Sequence, residues 1–395
     1  MDQGGRRGVS FIRVWPNESQ SLLLRAALCA GDDAVAAWRR WKAYAGERGL
    51  DDASYRLLPL VYRNLLAADI DEPLLSRMKG VYRRTWYRNQ ALLHAIADVI
   101  RLLDDAGIAT IVLKGAALTA AYYRDYGLRM MNDVDVLVPT AARGRALDAL
   151  DAAGWIPGYF PISALTNERL DVRQSWGFHN GRGREFDLHW HVMASDVRAD
   201  ADDVFWQHAE PLTVSGVATG TLSPTDHLLH ICEHGMVPVA VPPVQWIADA
   251  VTILQAAGDR VDWERLAGQV KRRRLTLVAR AALGYLSREW CAPVPLDWLG
   301  DLNTKSVSEL ERREFEVRVN PSRWIGLYAV DWIRYLRYRL WRDDGDLTRS
   351  LLWGFVEYDR RLEGLDRWWQ LPWWSLVKLR RLARHLLTGD RRLTE

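Results

Sequence analysis

The chain has little cysteine: three residues, Cys29, Cys232 and Cys291, far apart and with no CxxC pair. That excludes a disulfide scaffold and a thiolate zinc finger, and it fits a reducing compartment. Net charge is also small, since 53 basic and 50 acidic residues leave +3. A dedicated nucleic-acid binder carries a larger basic excess, so nucleic acid is not the expected partner. No apolar run approaches the roughly twenty residues of a bilayer span. The opening MDQGGRRGVSFIRVWPNESQ has no apolar stretch of signal-peptide length, so a cytoplasmic protein is expected. Internal repeats and low-complexity tracts are missing too. What the chain does have is 49% hydrophobic and 26% charged residues over 395 positions, which excludes wholesale disorder and exceeds one compact core. It also has 20 tryptophans, half of them after residue 285.

Apolar residues at three- and four-residue spacing predict helices from about Glu18 to Asp105, the last closed by Gly107. The pattern then changes. ATIVL (Ala109 to Leu113) reads as a buried strand, GAALTAAYY as a helix starting at Gly115, and DVDVLVP (Asp133 to Pro139) as a second strand. Thr140 to Ala153 is a helix, WGFHN and REFDLHWHV are strands around a GRGR turn, and PLTVSGVATG adds one more strand. From Ser223 the chain is helical again, with Ser223 as N-cap, Pro224 in the first turn and Asp226 completing a capping box. APVPLDWLGDLN reads as a linker to a last, Trp- and Arg-rich part. The expected organisation is a helical region 1–105, an α/β core 106–222, a helical domain 223–292 and a C-terminal helical region 293–395. The expected fold class is α+β, a small mixed sheet flanked by helices.

Chemistry concentrates in LKGAALTAAYYRDYGLRMMNDVDVLV. On a strand Asp133 and Asp135 point the same way, and two adjacent carboxylates call for a cation such as Mg²⁺. Gly115, between strand and helix, lets a phosphate approach the backbone at a helix start. Lys114 sits at the lip of the same loop. In REFDLHWHV, Asp187, His189 and His191 alternate with Phe186, Leu188, Trp190 and Val192, so a third acid joins the plan. His189 and His191 are candidate hydrogen-bond partners for Asp187. His227, His230 and His234 share one helical face, but they lack HExxH spacing and read as packing or hydrogen-bonding residues rather than a separate metal site. For His230 and His234, orienting nucleotide or acceptor is the alternative. In WWSLVKLRRLARHLL, Trp374, Val377, Arg381 and Arg384 make an apolar and basic helix face, suited to an anionic membrane, a hydrophobic partner, or packing on the rest of the protein.

A glycine after a strand, a helix, D-x-D on the next strand and one Asp on a later strand resemble the nucleotidyltransferase superfamily related to DNA polymerase β. LKGAAL, Tyr-Gly-Leu-Arg, NDVDVLV, FDLHWHV and DHLLHICEHG resemble its "uncharacterised nucleotidyltransferase" branch, met in bacterial biosynthetic clusters, over roughly Leu93 to Leu266. The resemblance implies Asp133, Asp135 and Asp187 as catalytic, metal-binding residues for Mg²⁺ or Mn²⁺. It implies Lys114, Gly115, Ala116 and Arg129 as contacts to an NTP. Ala116 stands where many relatives carry Ser or Gly, and Arg129 precedes the D-x-D as in antibiotic-modifying branches. The implied activity is transfer of a nucleoside monophosphate, AMP in the first instance, to a hydroxyl or phosphate on a small molecule, peptide or protein. The alternatives are a protein adenylyltransferase of regulatory or toxin–antitoxin type and a non-catalytic adaptor with a degenerate fold.

Overall fold

The computed structural model describes residues 14–45, 50–70, 72–158, 161–181, 183, 185–236, 244–319, 326–341 and 350–376. One mixed sheet of seven strands runs in the order β3-β4-β5-β2-β1-β7-β6. Its strands are β1 (Ile111–Leu113), β2 (Asp135–Leu137), β3 (Ile156–Pro157), β4 (Ser175–His179), β5 (Glu185–His189), β6 (Glu210–Val214) and β7 (Val217–Thr221). The central strands are parallel at β2–β5 and β1–β7 and antiparallel at β1–β2. The expected α+β class holds, with several local corrections. Both central strands are shorter than the sequence suggests, because only the residues in register with a neighbour join the ladder. PLTVSGVATG makes two strands, since Ser215 and Gly216 both adopt left-handed backbone and turn the chain into a hairpin.

Strand alternation divides the sheet between two apolar cores. Ile111, Leu113 and Leu137 join a core shared by the N-terminal helices and the helices after Ser223. Val112, Val136, Val138, Phe186 and Leu188 join a second core. It packs them under helix α7 (Arg143–Ala152) and the C-terminal half of helix α5 (Leu75–Asp105). A residue that shares the first face without being apolar, as Asp135 does, therefore looks toward the helices α10 (Pro224–Gly235) and α11 (Gln245–Ala257).

Ser223 caps α10 with Pro224 in its first turn. The Asp226 carboxylate, however, accepts from the Ser223 hydroxyl and, through both of its oxygens, from Arg265 Nη1 at 2.8 Å each, rather than returning to the cap backbone. The expected linker contains a helix, α14 (Leu296–Thr304), anchored where Trp298 Nε1 donates to the Trp263 carbonyl at 2.7 Å. In the C-terminal region Tyr335, Tyr338 and Tyr358 pack with Val172 and Val197 into a third, aromatic cluster. Val377, Arg381 and Arg384 lie outside the described residues, while the Trp374 indole donates to Glu363 at 2.6 Å. Among the described residues no helix is long and apolar enough to cross a membrane.

Candidate active site

The sheet register assembles the acids. Leu113 pairs with Asp135 across β1–β2, and Asp135 pairs with Asp187 across β2–β5. Neighbouring strands are about 4.8 Å apart, so the two carboxylates fall side by side although 52 positions separate them in the chain. Ligand atoms of Asp135, Asp187 and His189 all lie within 4.8 Å of one another. Asp133 lies just before β2, outside the ladder, and lines the same cleft of about 520 Å³ as Asp135, Lys114, Gly115 and Arg129.

Asp135 is the most constrained of the three. Its Oδ1 accepts from Lys114 Nζ at 2.7 Å and lies 2.9 Å from His189 Nε2. Burial by itself would raise its pKa, but the Lys114 ammonium and His189 hold it well below the ordinary carboxylate range. Asp187 and Asp133 behave oppositely. Desolvation and the Asp135 charge push both above the usual value. Among the described residues neither carboxylate is in an ion pair or receives a hydrogen bond from another side chain. Asp135 and the unpartnered Asp187, with one imidazole nitrogen of His189, form a donor set that fits a hard divalent cation, and Asp133 stands outside that group.

Lys114 starts the helix α6 (Lys114–Leu118) with φ +44°, a left-handed conformation that is strained for a lysine. That turn delivers its ammonium to Asp135. Gly115 is explained by close approach: a Cβ there would stand 2.4 Å from Arg129 Nη1 and 3.0 Å from Met131 Cγ. Ala116 is buried in the second core. Arg129 is clamped by Asp249 of α11 through Nε–Oδ1 and Nη2–Oδ2 hydrogen bonds of 2.8 Å each. Burial opposes its charge, but Asp249 raises its pKa, so it is a fixed cation with its remaining nitrogen over Gly115.

His191 departs from the expected face. The N–H groups of Trp190 and His191 both reach the Gln174 carbonyl, the pattern of a β-bulge, and alternation breaks there. Phe186, Leu188 and Trp190 accordingly lie in one core and Val192 in the other. His191 Nδ1 sits 2.7 Å from Asp202, away from Asp187. His189 meets Asp135 rather than Asp187 by hydrogen bond. His230 and His234 have ring centroids 6.2 Å apart and border a second cavity of about 170 Å³ behind Lys114 and His189. His227 instead bonds Thr221 at 2.9 Å, and Glu233 pairs with Arg318. Among the described residues these α10 histidines form no metal-binding group.

Two contributors are invisible in the motif. Asp249 is 120 positions from Arg129, and no spacing announces it. Gly177 pairs with Asp187 across β4–β5, and a Cβ there would lie 3.1 Å from Asp187 Oδ1. The hairpin register around GRGR, counted back from Asp187, would have found it. No curated protein and no solved structure matches the chain. Comparison with protein families gives a match to "Uncharacterised nucleotidyltransferase" over residues 53–290, wider than the motif region at both ends. With its strand-borne acids, its glycine turn and a match over more than half its length, the chain belongs to this uncharacterised nucleotidyltransferase family.

Proposed function

We propose that the protein transfers a nucleoside monophosphate from an NTP to a hydroxyl or phosphate acceptor. The observation that carries this reading is the Asp135–Asp187 register across β2–β5, with Asp133 lining the 520 Å³ cleft beside Asp135. Three carboxylates kept together without enough cations are costly unless something cationic is used there.

Asp133, Asp135, Asp187 and His189 are the residues that would hold Mg²⁺ or Mn²⁺. A divalent ion bound there supplies charge neutralisation for the transferring phosphoryl group. The rest is done by side chains of this chain. Lys114, already on Asp135 at 2.7 Å, is placed to donate to a phosphate oxygen at the cleft. Arg129 presents fixed positive charge above Gly115, its orientation held by Asp249. Asp187, whose pKa is raised, is suited to take the proton from an acceptor hydroxyl. The acceptor oxygen then bonds to the α-phosphorus as the bond to pyrophosphate breaks. Catalysis in this scheme is positioning and electrostatics. The cavity of about 170 Å³ that shares Lys114 and His234 with the cleft is the natural place for the acceptor.

The deciding experiment is calorimetry with non-hydrolysable analogues of ATP, GTP, CTP and UTP, with and without Mg²⁺. An Asp133→Asn/Asp135→Asn variant is the control. Mg²⁺-dependent binding of one nucleotide, lost in the variant, supports the reading and names the donor. No nucleotide binding by the wild-type protein sinks it in favour of a non-catalytic adaptor. With α-labelled donor, label retained on protein rather than on a small product would identify a protein adenylyltransferase.

A further inference from the structure

Beside the acidic cleft lies a second pocket, of about 240 Å³, lined by Arg56, Arg84 and Arg88. It shares Asp52, Arg56 and the segment 130–132 with the cleft, but not Lys114, Gly115 or the acids. Arg84 and Arg88 are one turn apart on α5 and exposed, so they present their guanidinium groups on one helix face. Among the described residues, none of the three arginines makes an ion pair or a side-chain hydrogen bond to an acid, and Asp52 is the one acidic residue lining the pocket. Half-buried Arg56 is pushed below its ordinary pKa, first by burial and then by Arg129, with Arg88 adding to it against Asp133 and Asp52. The pocket thus sets three guanidinium groups against one carboxylate. At its wall, Asn89 is fully buried and donates to the carbonyls of Tyr126 and Arg129 at 2.7 Å each. Its Oδ1 is buried without a hydrogen-bond partner at that wall.

We propose that Arg56, Arg84 and Arg88 form a phosphate subsite at the edge of the cleft, outside the strand-and-helix motif that carries the acids. Guanidinium groups favour phosphate because they offer planar, paired donors to its oxygens. The choice of phosphate over carboxylate rests on the nucleotidyl-transfer reading; the presence of an anion site does not. The phosphate belongs either to the donor's tail or to a second, phosphate-bearing acceptor.

The test is calorimetry on the full chain with tripolyphosphate and inorganic phosphate, without divalent metal, at two salt concentrations. The wild-type protein should bind tripolyphosphate, more weakly at higher salt. Arg84→Gln/Arg88→Gln should weaken that binding about tenfold or more, the scale of losing charge-assisted hydrogen bonds, and Arg84→Lys/Arg88→Lys should retain most of it. Both positions are exposed, and a thermal melt checks that the variants fold. Absence of binding to the wild-type protein, or equal binding to the Gln variant, overturns the proposal. Competition between tripolyphosphate and an NTP analogue assigns the subsite to the donor; simultaneous binding assigns it to the acceptor. Asp133→Asn/Asp135→Asn should leave metal-free tripolyphosphate binding in place. If that variant also keeps nucleotide binding, the nucleotidyl-transfer reading fails while the anion subsite stands.

Discussion

Arg129 and Asp249 are joined by two hydrogen bonds of 2.8 Å, and the pair ties the segment before the D-x-D to helix α11 across 120 positions. Their side chains are 11% and 2% exposed, so the pair is largely shielded from water. Asp249→Ala leaves a buried arginine without its counter-charge and should cost about 3–5 kcal/mol. Denaturant unfolding measures this, and a loss below about 1 kcal/mol would contradict the clamp.

The same clamp makes Gly115 intolerant of a side chain. A Cβ meets Arg129 Nη1 at 2.4 Å, and the Asp249 pair prevents the guanidinium from giving way. Gly115→Ala should destabilise by about 1–3 kcal/mol, the usual scale of overpacking. In an Arg129→Ala background the same change should cost clearly less, because the obstructing atom is gone. A double-mutant cycle by thermal unfolding decides; additive effects would show that Gly115 is required for another reason.

Lys114 is the internal counter-ion of Asp135 at 2.7 Å. Lys114→Met should cost about 1–3 kcal/mol, the scale of a charge-assisted hydrogen bond. Asp135 has a depressed pKa, so its stabilising contribution is present above the unfolded carboxylate value and is lost as pH falls through the depressed folded one. The deficit of Lys114→Met should therefore be large near neutral pH and shrink in acid. Added Mn²⁺ should raise the melting temperature of Lys114→Met more than that of the wild type, since a cation then replaces the ammonium. Equal shifts would argue against binding at Asp135.

Asp187 carries the opposite sign. Its raised pKa means the ionised form is penalised in the folded protein, so stability is greatest where it is protonated and falls as pH rises through the raised value. Asp187→Asn should thus raise the melting temperature of the metal-free protein near pH 7, have little effect near pH 4, and abolish transfer. Mn²⁺ affinity of the wild type should fall as pH drops toward the raised values of Asp133 and Asp187, as protons compete for the same oxygens. A melting temperature that falls at pH 7 in Asp187→Asn would mean the carboxylate is paired in the folded state.

A side chain opposite Asp187 should act without touching the fold's core. Gly177→Val places its Cβ 3.1 Å from Asp187 Oδ1, so it should displace that carboxylate and weaken Mn²⁺ binding. Gly177→Ala should do the same more mildly. Mn²⁺ titration of both variants checks the order, and unchanged affinity in both would show that Asp187 is not a ligand.

Local patterns were enough to read much of this protein. Alternation in DVDVLV and EFDLH placed carboxylates on one strand face and aliphatic residues on the other, because successive side chains on a strand point to opposite sides. Ser223, Pro224 and the apolar spacing of the helices were equally legible, since caps and helical faces depend on neighbours within a few positions. The limits appear where a partner is distant or the backbone departs from regularity. His191 leaves the expected face because a bulge shifts the register by one, and the central strands end where ladder partners end. APVPLDWLGDLN looks like a linker by composition, yet it holds a helix whose Trp298 donates to the distant Trp263 carbonyl. Neighbouring residues alone were therefore enough to place most of the candidate residues on a strand, a turn or a helix. Only the tertiary structure decided that Asp135 is balanced by Lys114 and His189, that Arg129 is held by Asp249, and that Arg56 joins Arg84 and Arg88 in one pocket. The reason is physical: charge compensation depends on distance through space, and hydrogen-bond partners from α6, β5 and α11 meet only after the sheet and helices close around them.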